Sequence, residues 1–397
     1  MEGEEQNIVL NSPLIHVCEG NENESRKKPT KEEIVAEVKR LFLLAGPLVS
    51  VNFLMYCTQV ISVMFVGHLG ELPLAGASMA TSFGSVTGFN LLCLVKFLQS
   101  QNNVVPMMMS TGFTTLSHFL ICWALVFKSG LGNKGAALAN AISYWINVVL
   151  LATYVKFSPR CRLSWTGFSK DALQDVTKFL NTAIPSTIMI CLEFWSFQMM
   201  VMLSGLLPNP RLETSVLSIS QNTYVMVCMV PVGLGAAVST RVSNELGAGR
   251  PLEARLAVGL VLLTVVIEGI FASVIMILGR NFWGYCYSKE VKVVKYVAEM
   301  LLLLALAQFF DGIQTVLSGV ARGCGWQKIG AWINLGAYYL IGIPSAIILA
   351  FVFHIGGKGL WTGIILALFV QAMALLIITL CTNWEKEAKN VADRVYI

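Results

Sequence analysis

Long apolar stretches, separated by short polar segments, occupy almost the whole chain after residue 38. A helix needs about 20 mainly apolar residues to cross the hydrocarbon core of a membrane, and ten stretches approach or exceed that length. We therefore predict an all-α integral membrane protein with about ten spans. These spans are 41–69, 72–100, 104–127, 135–155, 179–207, 214–238, 256–279, 299–321, 329–353 and 359–382.

The spans form two parallel copies of one pattern, and the first copy is incomplete. Residues 38–69 align without a gap on residues 176–207 at an offset of 138. The offset is 140 up to about Leu92 but 224 from Lys134 onwards, so the first copy lacks the difference, 84 residues. Two parallel repeats are a common plan of transporters, which bind their substrate between the repeats.

The span at 72–100 crosses the point where the register of the repeat breaks. Residues 72–92 and residues 93–99 belong to different parts of the repeat. We interpret this span as the front of one helix joined to the back of another. Because the loss of one whole helix and two half-helices keeps the parity of crossings, later segments stay on their original side of the membrane.

Lysine and arginine residues cluster in three segments that the positive-inside rule assigns to the cytoplasm. These segments lie before the first span, between the two repeats and after the last span. The predicted organisation is a cytoplasmic polar tail (1–38), a truncated N-lobe (39–156), a cytoplasmic link (157–177), a six-helix C-lobe (178–383) and a cytoplasmic tail (384–397). This bias explains the net charge of +5, so no nucleic-acid partner is expected.

The composition agrees with a membrane protein and contains no sign of an enzyme. Charged residues make up 13% of the chain, against roughly 25% in soluble domains. The ten cysteines are scattered without a CxxC pair, so neither a disulfide framework nor a metal site is predicted. The sequence also lacks a nucleotide-binding motif and a plausible catalytic triad. We expect no cofactor other than an ion gradient.

Three carboxyl residues lie deep inside apolar spans, where a charged group is costly and usually functional. They are Glu193, Glu268 and Asp311. Two of them belong to polar stripes at helical spacing. The first stripe contains Ser186, Glu193, Ser196 and Ser204, and the second contains Asp311, Thr315, Ser318 and Arg322.

Each acid has a structural and a functional interpretation. A buried carboxyl group can simply join neighbouring helices by a hydrogen bond, and we favour this interpretation for Glu268, which has no polar stripe. A carboxylate in a poorly solvated cavity holds a proton more readily than one in water. We therefore predict that Glu193 and Asp311 bind protons or substrate. Ser186, Ser196, Thr315 and Ser318 are predicted more weakly to line the same cavity.

Small residues between 233 and 239 suit close helix packing in a membrane. The residues that follow, Arg241, Asn244 and Glu245, are predicted to lie at the cytoplasmic boundary. There they can form a gate or join a loop to the helices.

Several long motifs resemble the plant branch of the multidrug and toxic compound extrusion (MATE) family, also called DETOXIFICATION proteins. They include VKRLFLLAGPLVS near the start, GLGNKGAALANAISYW from Gly130, PVGLGAAVSTRVSNELGAGRP from Pro231 and VLSGVARGCGWQKIGAWINLGAYYLIGIP from Val316. The resemblance covers residues 34 to 384. It implies two six-helix lobes in a V and a proton-coupled antiporter for xenobiotic or multidrug efflux. It also implies that Glu193 and Asp311 are the C-lobe acids of proton coupling, and that the partners are small organic substrates, protons and the lipid bilayer.

The chain departs from the family pattern between Leu92 and Cys93, where a CGQ-type motif, a third helix and most of a fourth are missing. Three hypotheses follow: an active antiporter, a non-transporting truncated isoform produced by alternative splicing or by the gene model, and a channel or lipid flippase of similar repeat architecture. A channel would have charges along the whole pore, and the sequence has isolated acids. Substrate identity, and the choice between plasma membrane and vacuolar membrane, stay open.

Overall fold

The computed structural model describes residues 31–67, 89–161, 164, 176–287 and 290–396, and within these ranges it contains helices and no strands. The all-α prediction is therefore confirmed. The helices are α1 (Lys31–Gly67), α2 (Phe89–Ser100), α3 (Val105–Trp123, extended by a π-helical turn Ala124–Lys128), α4 (Gly132–Phe157), α5 (Val176–Ser204), α6 (Pro210–Gly247), α7 (Pro251–Trp283), α8 (Val291–Cys324), α9 (Gln327–Asn334), α10 (Gly357–Cys381) and α11 (Trp384–Tyr396). Helix α9 continues through π-helical and α-helical turns (Leu335–Gly342, Ile343–Ile347 and Ile348–Val352).

Nine helices in the described part of the chain are long and apolar enough to cross a membrane. They match nine of the ten predicted spans. Most of the remaining predicted span, 72–100, lies outside the described residues, and its last part, 89–100, forms α2. The greater part of the predicted link 157–177 and residues 1–30 of the tail also lie outside them. Helix α1 already includes residues 31–38.

Helix α8 occupies the centre of the C-lobe, where it packs against α6, α7 and α10. Its contact with α6 is backbone to backbone. A Cβ atom on Gly319 would collide with the carbonyl group of Gly235, and one on Gly323 would lie 2.8 Å from the carbonyl oxygen of Ser239. Only glycine permits this approach, which confirms that the small residues of this region serve helix packing.

Two hydrophobic cores show how the lobes are joined. One core lies within the C-lobe and uses the first halves of α6 and α8. The other core combines N-lobe residues from α1, α2, α3 and α4 with the second half of α6, the start of α7 and the end of α8. The lobes therefore share a core at the end that the charge pattern assigns to the cytoplasm, and the C-lobe packs on itself at the other end.

A cluster of six charged side chains joins the lobes at this shared end. We call it the inter-lobe ion cluster, and its members are Glu37, Arg40, Arg241, Glu245, Arg250 and Glu253. The Arg241 guanidinium donates two hydrogen bonds to Glu37, at 2.8 Å and 2.7 Å. Arg241 also pairs with Glu245, which pairs in turn with Arg250 at 2.7 Å.

The location predicted for a gate or clasp thus contains a buried ionic contact between α1 and α6. The side chains of Glu37 and Glu245 are only 4% and 1% exposed. Beside the cluster, the Asn244 amide approaches the Ser100 carbonyl at 3.5 Å, and Gln99 donates to Thr240 at 2.9 Å. The second half of α6 is therefore held against the N-lobe by both charged and neutral groups.

Candidate functional site

The two acids predicted from the polar stripes lie next to one another in the C-lobe, joined by a glutamine. Glu193 is in the middle of α5 and Asp311 is in the middle of α8. The side-chain amide of Gln314 donates to Glu193 Oε1 at 2.9 Å and to Asp311 Oδ1 at 3.0 Å. Residues three apart on a helix lie on the same face, which is why Gln314 and Asp311 meet at one place.

Further hydrogen bonds fix this group from α6 and α8. The Ser318 hydroxyl donates to the side-chain oxygen of Gln314, Oε1, at 3.0 Å. The Cys228 thiol lies 3.1 Å from Asp311 Oδ2 and 3.2 Å from the side-chain oxygen of Gln308, Oε1. Asp311 is 3% exposed and Gln314 is 0% exposed, so the site lies within the protein rather than on a lipid-facing surface.

Four aromatic residues form one wall of the site: Phe197, Tyr224, Tyr338 and Trp361. Neighbouring ring centroids lie 5.3 to 6.4 Å apart. Among the described residues, the Tyr338 hydroxyl and the Trp361 indole N–H have no hydrogen-bond partner, although both are buried. Buried polar groups normally have a partner, yet both of these side chains are completely buried in the hydrophobic core of the C-lobe.

A pair of buried amides connects α5 to α9 and α10. Gln371 donates to the Asn334 side-chain oxygen at 2.8 Å, and Asn334 donates to the backbone carbonyl of Met189 at 2.7 Å. Both amides are completely buried. The helix that carries Glu193 is thus joined by polar contacts to α8 through Gln314 and to α9 through Asn334.

The structure brings some of the predicted lining residues to the acids and not others. Ser318 orients Gln314, as described above, and Thr315 lies 3.5 Å from the Gln314 amide nitrogen. Ser196 is buried but donates to the backbone carbonyl of Glu193 at 2.6 Å, within its own helix. Ser186 is partly buried on α5, about two helical turns before Glu193.

Glu268 lies closer to the site than its sequence context indicates. It is partly buried on α7, it interacts electrostatically with Asp311, and its Oε2 atom has no hydrogen-bond partner among the described residues. Arg322, the last member of the second stripe, interacts electrostatically with Glu193. Glu268 and Arg322 therefore lie near the pair of acids that Gln314 joins, and act on it through their charges.

The sequence reasoning missed Gln314, which connects the acids, and the residues that lie around them. These are Gln308, Gln314, Cys228, Tyr224, Tyr338, Trp361, Asn334 and Gln371. A signal for two of them was present, because Gln308 and Gln314 lie three residues before and three residues after Asp311. No group of three or more His, Cys, Asp or Glu residues in the described ranges could hold a metal ion.

The arrangement is suited to exchange rather than to bond chemistry. Two carboxyl groups share one buried site, and like charges in such a site disfavour each other. A proton or a cation bound there removes this repulsion. Asp311 has a hydrogen-bond donor at each oxygen and Glu193 has one at Oε1. Tyr224 and Tyr338 interact electrostatically with both acids, and aromatic rings of this kind can contact a cationic ligand.

Comparison with known proteins gives similarity over almost the whole chain. The sequence pattern of the MatE family matches residues 185–348. Protein DETOXIFICATION 16 of Arabidopsis thaliana is 50% identical, and the match covers 92% of this chain and 92% of that protein. Protein DETOXIFICATION 15 of the same plant is 46% identical over 98% of this chain and 96% of its own length.

Solved structures agree with the fold. The crystal structure of the eukaryotic MATE transporter AtDTX14 superimposes with a TM-score of 0.86 at 40% identity, covering 91% of this chain and 99% of that one. A mutant form of the Vibrio cholerae MATE transporter VcmN has a TM-score of 0.74 at 14% identity, covering 89% of this chain and 99% of that one. At that identity the likeness concerns the fold alone.

The alignments also reveal how much this chain lacks. The match to DETOXIFICATION 16 extends over 448 positions, whereas 92% of this 397-residue chain is about 365 residues. About 83 aligned positions therefore contain no residue of this chain, and the match to DETOXIFICATION 15, with 475 positions and 98% coverage, gives about 86. Both values agree with the deficit of 84 residues found from the internal repeat.

Proposed function

Since this chain belongs to the plant branch of the MATE family of membrane transporters, we propose that it exports small organic compounds in exchange for protons. The chain is a multi-pass integral membrane protein, and its relatives are transporters rather than enzymes. The proposal adds the coupling ion and the class of substrate. We propose that it works in the plasma membrane or in the vacuolar membrane.

The bridged carboxyl pair is the observation that supports proton coupling. Glu193 and Asp311 belong to different helices and share the Gln314 amide; Asp311 is buried and Glu193 is partly buried. When both carboxylates are ionised they repel each other, and either a proton or a cationic ligand relieves that repulsion. Competition between the two for one site is the simplest physical basis of antiport.

The distribution of acids supports the C-lobe as the coupling half. Residues 39–156 contain one carboxyl side chain, Glu71. The C-lobe contains three acids inside its spans, and two of them, Glu193 and Glu268, interact electrostatically with the third, Asp311. If carboxyl groups bind the proton, the C-lobe supplies them.

The aromatic wall supports organic cations as the substrate class. Tyr224, Tyr338 and Trp361 are buried near the acids, and a cation over an aromatic face gains about 2 kcal/mol when it is desolvated. A cationic compound with an apolar body would use the carboxylates for its charge and the rings for its body. A strongly hydrated inorganic cation would not use the rings in this way.

A second candidate function is a truncated isoform that inserts in the membrane and does not transport. The absence of about 83 aligned positions from the N-lobe favours it. The substrate site of a two-repeat transporter lies between the repeats, so a lobe that lacks part of its helices provides an incomplete wall. The C-lobe acids would survive in such a product.

One experiment tests both candidates. Lipid vesicles containing either this chain or a version with the missing segment restored are loaded with ethidium, and efflux is driven by a proton gradient. We expect the restored protein to export ethidium, and Glu193→Gln and Asp311→Asn in that background to abolish gradient-driven export at normal expression. Full export by both variants would refute the coupling role of the acids.

Glu268→Gln is the matched control, because it removes a partly buried acid that Gln314 does not bridge, from a neighbouring helix. We expect it to retain most of the export. Efflux by the chain without the segment, at the restored rate, would contradict the truncated-isoform candidate. Efflux absent only from that chain would support it.

A further inference from the structure

The Gln314 amide has a defined orientation that determines which carboxyl oxygens can carry a proton. A primary amide has two N–H donors and one acceptor oxygen. The two shortest donor contacts of Gln314 go to the acids, at 2.9 Å to Glu193 Oε1 and at 3.0 Å to Asp311 Oδ1, and a longer one of 3.5 Å goes to the Thr315 hydroxyl. Its oxygen accepts from Ser318 at 3.0 Å.

The reverse orientation is excluded while either acid is ionised. It would place the amide oxygen against Glu193 Oε1 and Asp311 Oδ1, and each of those atoms would then need a proton of its own. Ser318, on the same face of α8, donates to the amide oxygen in this orientation, but its hydroxyl can also accept, so the carboxylates determine which end of the amide faces them. The two carboxyl oxygens that face Gln314 are therefore acceptors.

From this geometry we propose that Gln314 is a positioning residue that confines the exchangeable protons to Glu193 Oε2 and Asp311 Oδ2. The proposal rests on the proposed proton coupling and goes beyond it. It assigns the proton-binding atoms and a residue that links the two acids without itself gaining or losing a proton.

The Cys228 thiol completes the arrangement at Asp311. It has one hydrogen and two acceptors within reach, Asp311 Oδ2 at 3.1 Å and Gln308 Oε1 at 3.2 Å. When Asp311 is ionised, the thiol hydrogen points to Oδ2. When Oδ2 carries the proton, the thiol hydrogen turns to Gln308, so the site accepts a proton at Oδ2 without losing a hydrogen bond.

Groups on several helices face the acid pair and contribute to its titration. Those with an electrostatic interaction are Tyr224 and Cys228 on α6, Glu268 on α7, Arg322 on α8 and Tyr338 on α9. All of them remain in place when Gln314 alone is changed. A change at Gln314 therefore isolates the contribution of the two amide donors.

Infrared difference spectroscopy of the 397-residue chain in lipid nanodiscs tests the proposal without requiring transport. The C=O band of a protonated carboxyl group is followed as a function of pH. Its loss in Glu193→Gln and in Asp311→Asn assigns the contribution of each acid. Because N–H donors stabilise the ionised form, Gln314→Leu should move the midpoint of this band upward by about one to two pH units.

Two further variants guard against a folding defect in Gln314→Leu. Gln314→Glu keeps the side-chain shape and adds a carboxyl group that has no donor when ionised, so we expect a larger upward shift, read after subtraction of the band that remains in Gln314→Glu combined with Glu193→Gln and Asp311→Asn. Ser318→Ala releases the carbonyl end of the amide, and we expect a smaller shift in the same direction. Gln99→Leu is the matched control, since it removes another buried amide, which bonds Thr240 and the Ala236 carbonyl.

The results separate this proposal from the proposed function. A midpoint in Gln314→Leu and Gln314→Glu that coincides with that of the unchanged chain would overturn the role of Gln314, and so would an equal shift in Gln99→Leu. Proton-driven efflux that is indifferent to Glu193 and Asp311 would overturn the proposed function instead. Upward shifts in the order Ser318→Ala, Gln314→Leu, Gln314→Glu would support the positioning role.

Discussion

Removal of the Arg241 guanidinium should separate the lobes at the end where they share a core. Arg241 makes two hydrogen bonds to Glu37 on α1 and pairs with Glu245 on its own helix, and its side chain is 12% exposed. The substitution Arg241→Met keeps much of the apolar length. It leaves two buried carboxylates without their main partner.

The magnitude follows from what remains around those carboxylates. Breaking a buried ion pair by removal of one partner costs about 3–5 kcal/mol. Glu37 retains Arg40 at 3.8 Å, and Glu245 retains Arg250 at 2.7 Å, so part of the loss is compensated. We therefore expect a cost of about 2–4 kcal/mol, which corresponds to a factor of about 30 to 1,000 in the equilibrium between joined and separated lobes.

Thermal unfolding in nanodiscs, followed by tryptophan fluorescence, measures the effect in a double-mutant cycle with Glu37→Gln. We expect a clear drop in Tm for each single variant and a double variant that loses less than their sum. The control is Lys358→Met, which breaks an exposed pair with Glu299 whose side chains are 38% and 45% exposed. Such pairs contribute about 1 kcal/mol or less. Equal drops for Arg241→Met and Lys358→Met, or strictly additive effects in the cycle, would refute the reasoning.

Two other outcomes are open to measurement. Gly319→Ala places a Cβ against the Gly235 carbonyl and should destabilise the C-lobe by about 3 kcal/mol, at the upper end for overpacking. Its control is Gly259→Ala, whose Cβ has nothing within 4 Å and which should leave Tm nearly unchanged. Equal effects of the two variants would disprove the close contact. Restoration of the missing segment should raise Tm in detergent, because the lost N-lobe interfaces are rebuilt and large-to-small losses in a core cost a few kcal/mol each; an unchanged Tm would mean that the remaining N-lobe helices already pack well.

The fold could be predicted from the sequence because membrane helices depend on local apolar length. Nine predicted spans coincide with nine helices of the described part of the chain. The ends were less accessible to this reasoning: the span predicted at 214–238 belongs to a helix that runs from Pro210 to Gly247. Hydropathy detects the part of a helix that lies in the lipid, whereas the polar ends of α6 continue the same hydrogen-bonded ladder outside it.

The candidate site could be predicted only helix by helix. Periodicity identified the faces of α5 and α8 that carry Glu193 and Asp311, since spacing within one helix fixes a face. It could not identify Gln314 as their bridge, because that contact depends on how two helices are rotated relative to each other. The pairing of Arg241 with Glu37 spans 204 residues, and no local pattern connects them.

The glycine contact between α6 and α8 has a mechanical consequence. Where two backbones touch without side chains between them, neither helix can slide or rotate without a collision. The two helices therefore form a rigid pair. Asp311 and Cys228 lie on this rigid pair of helices, whereas Glu193 lies on α5, which packs chiefly against α9. When a proton arrives or leaves, the force between the two acids changes. Because α6 and α8 are held together, we expect α5, which carries Glu193, to move relative to them.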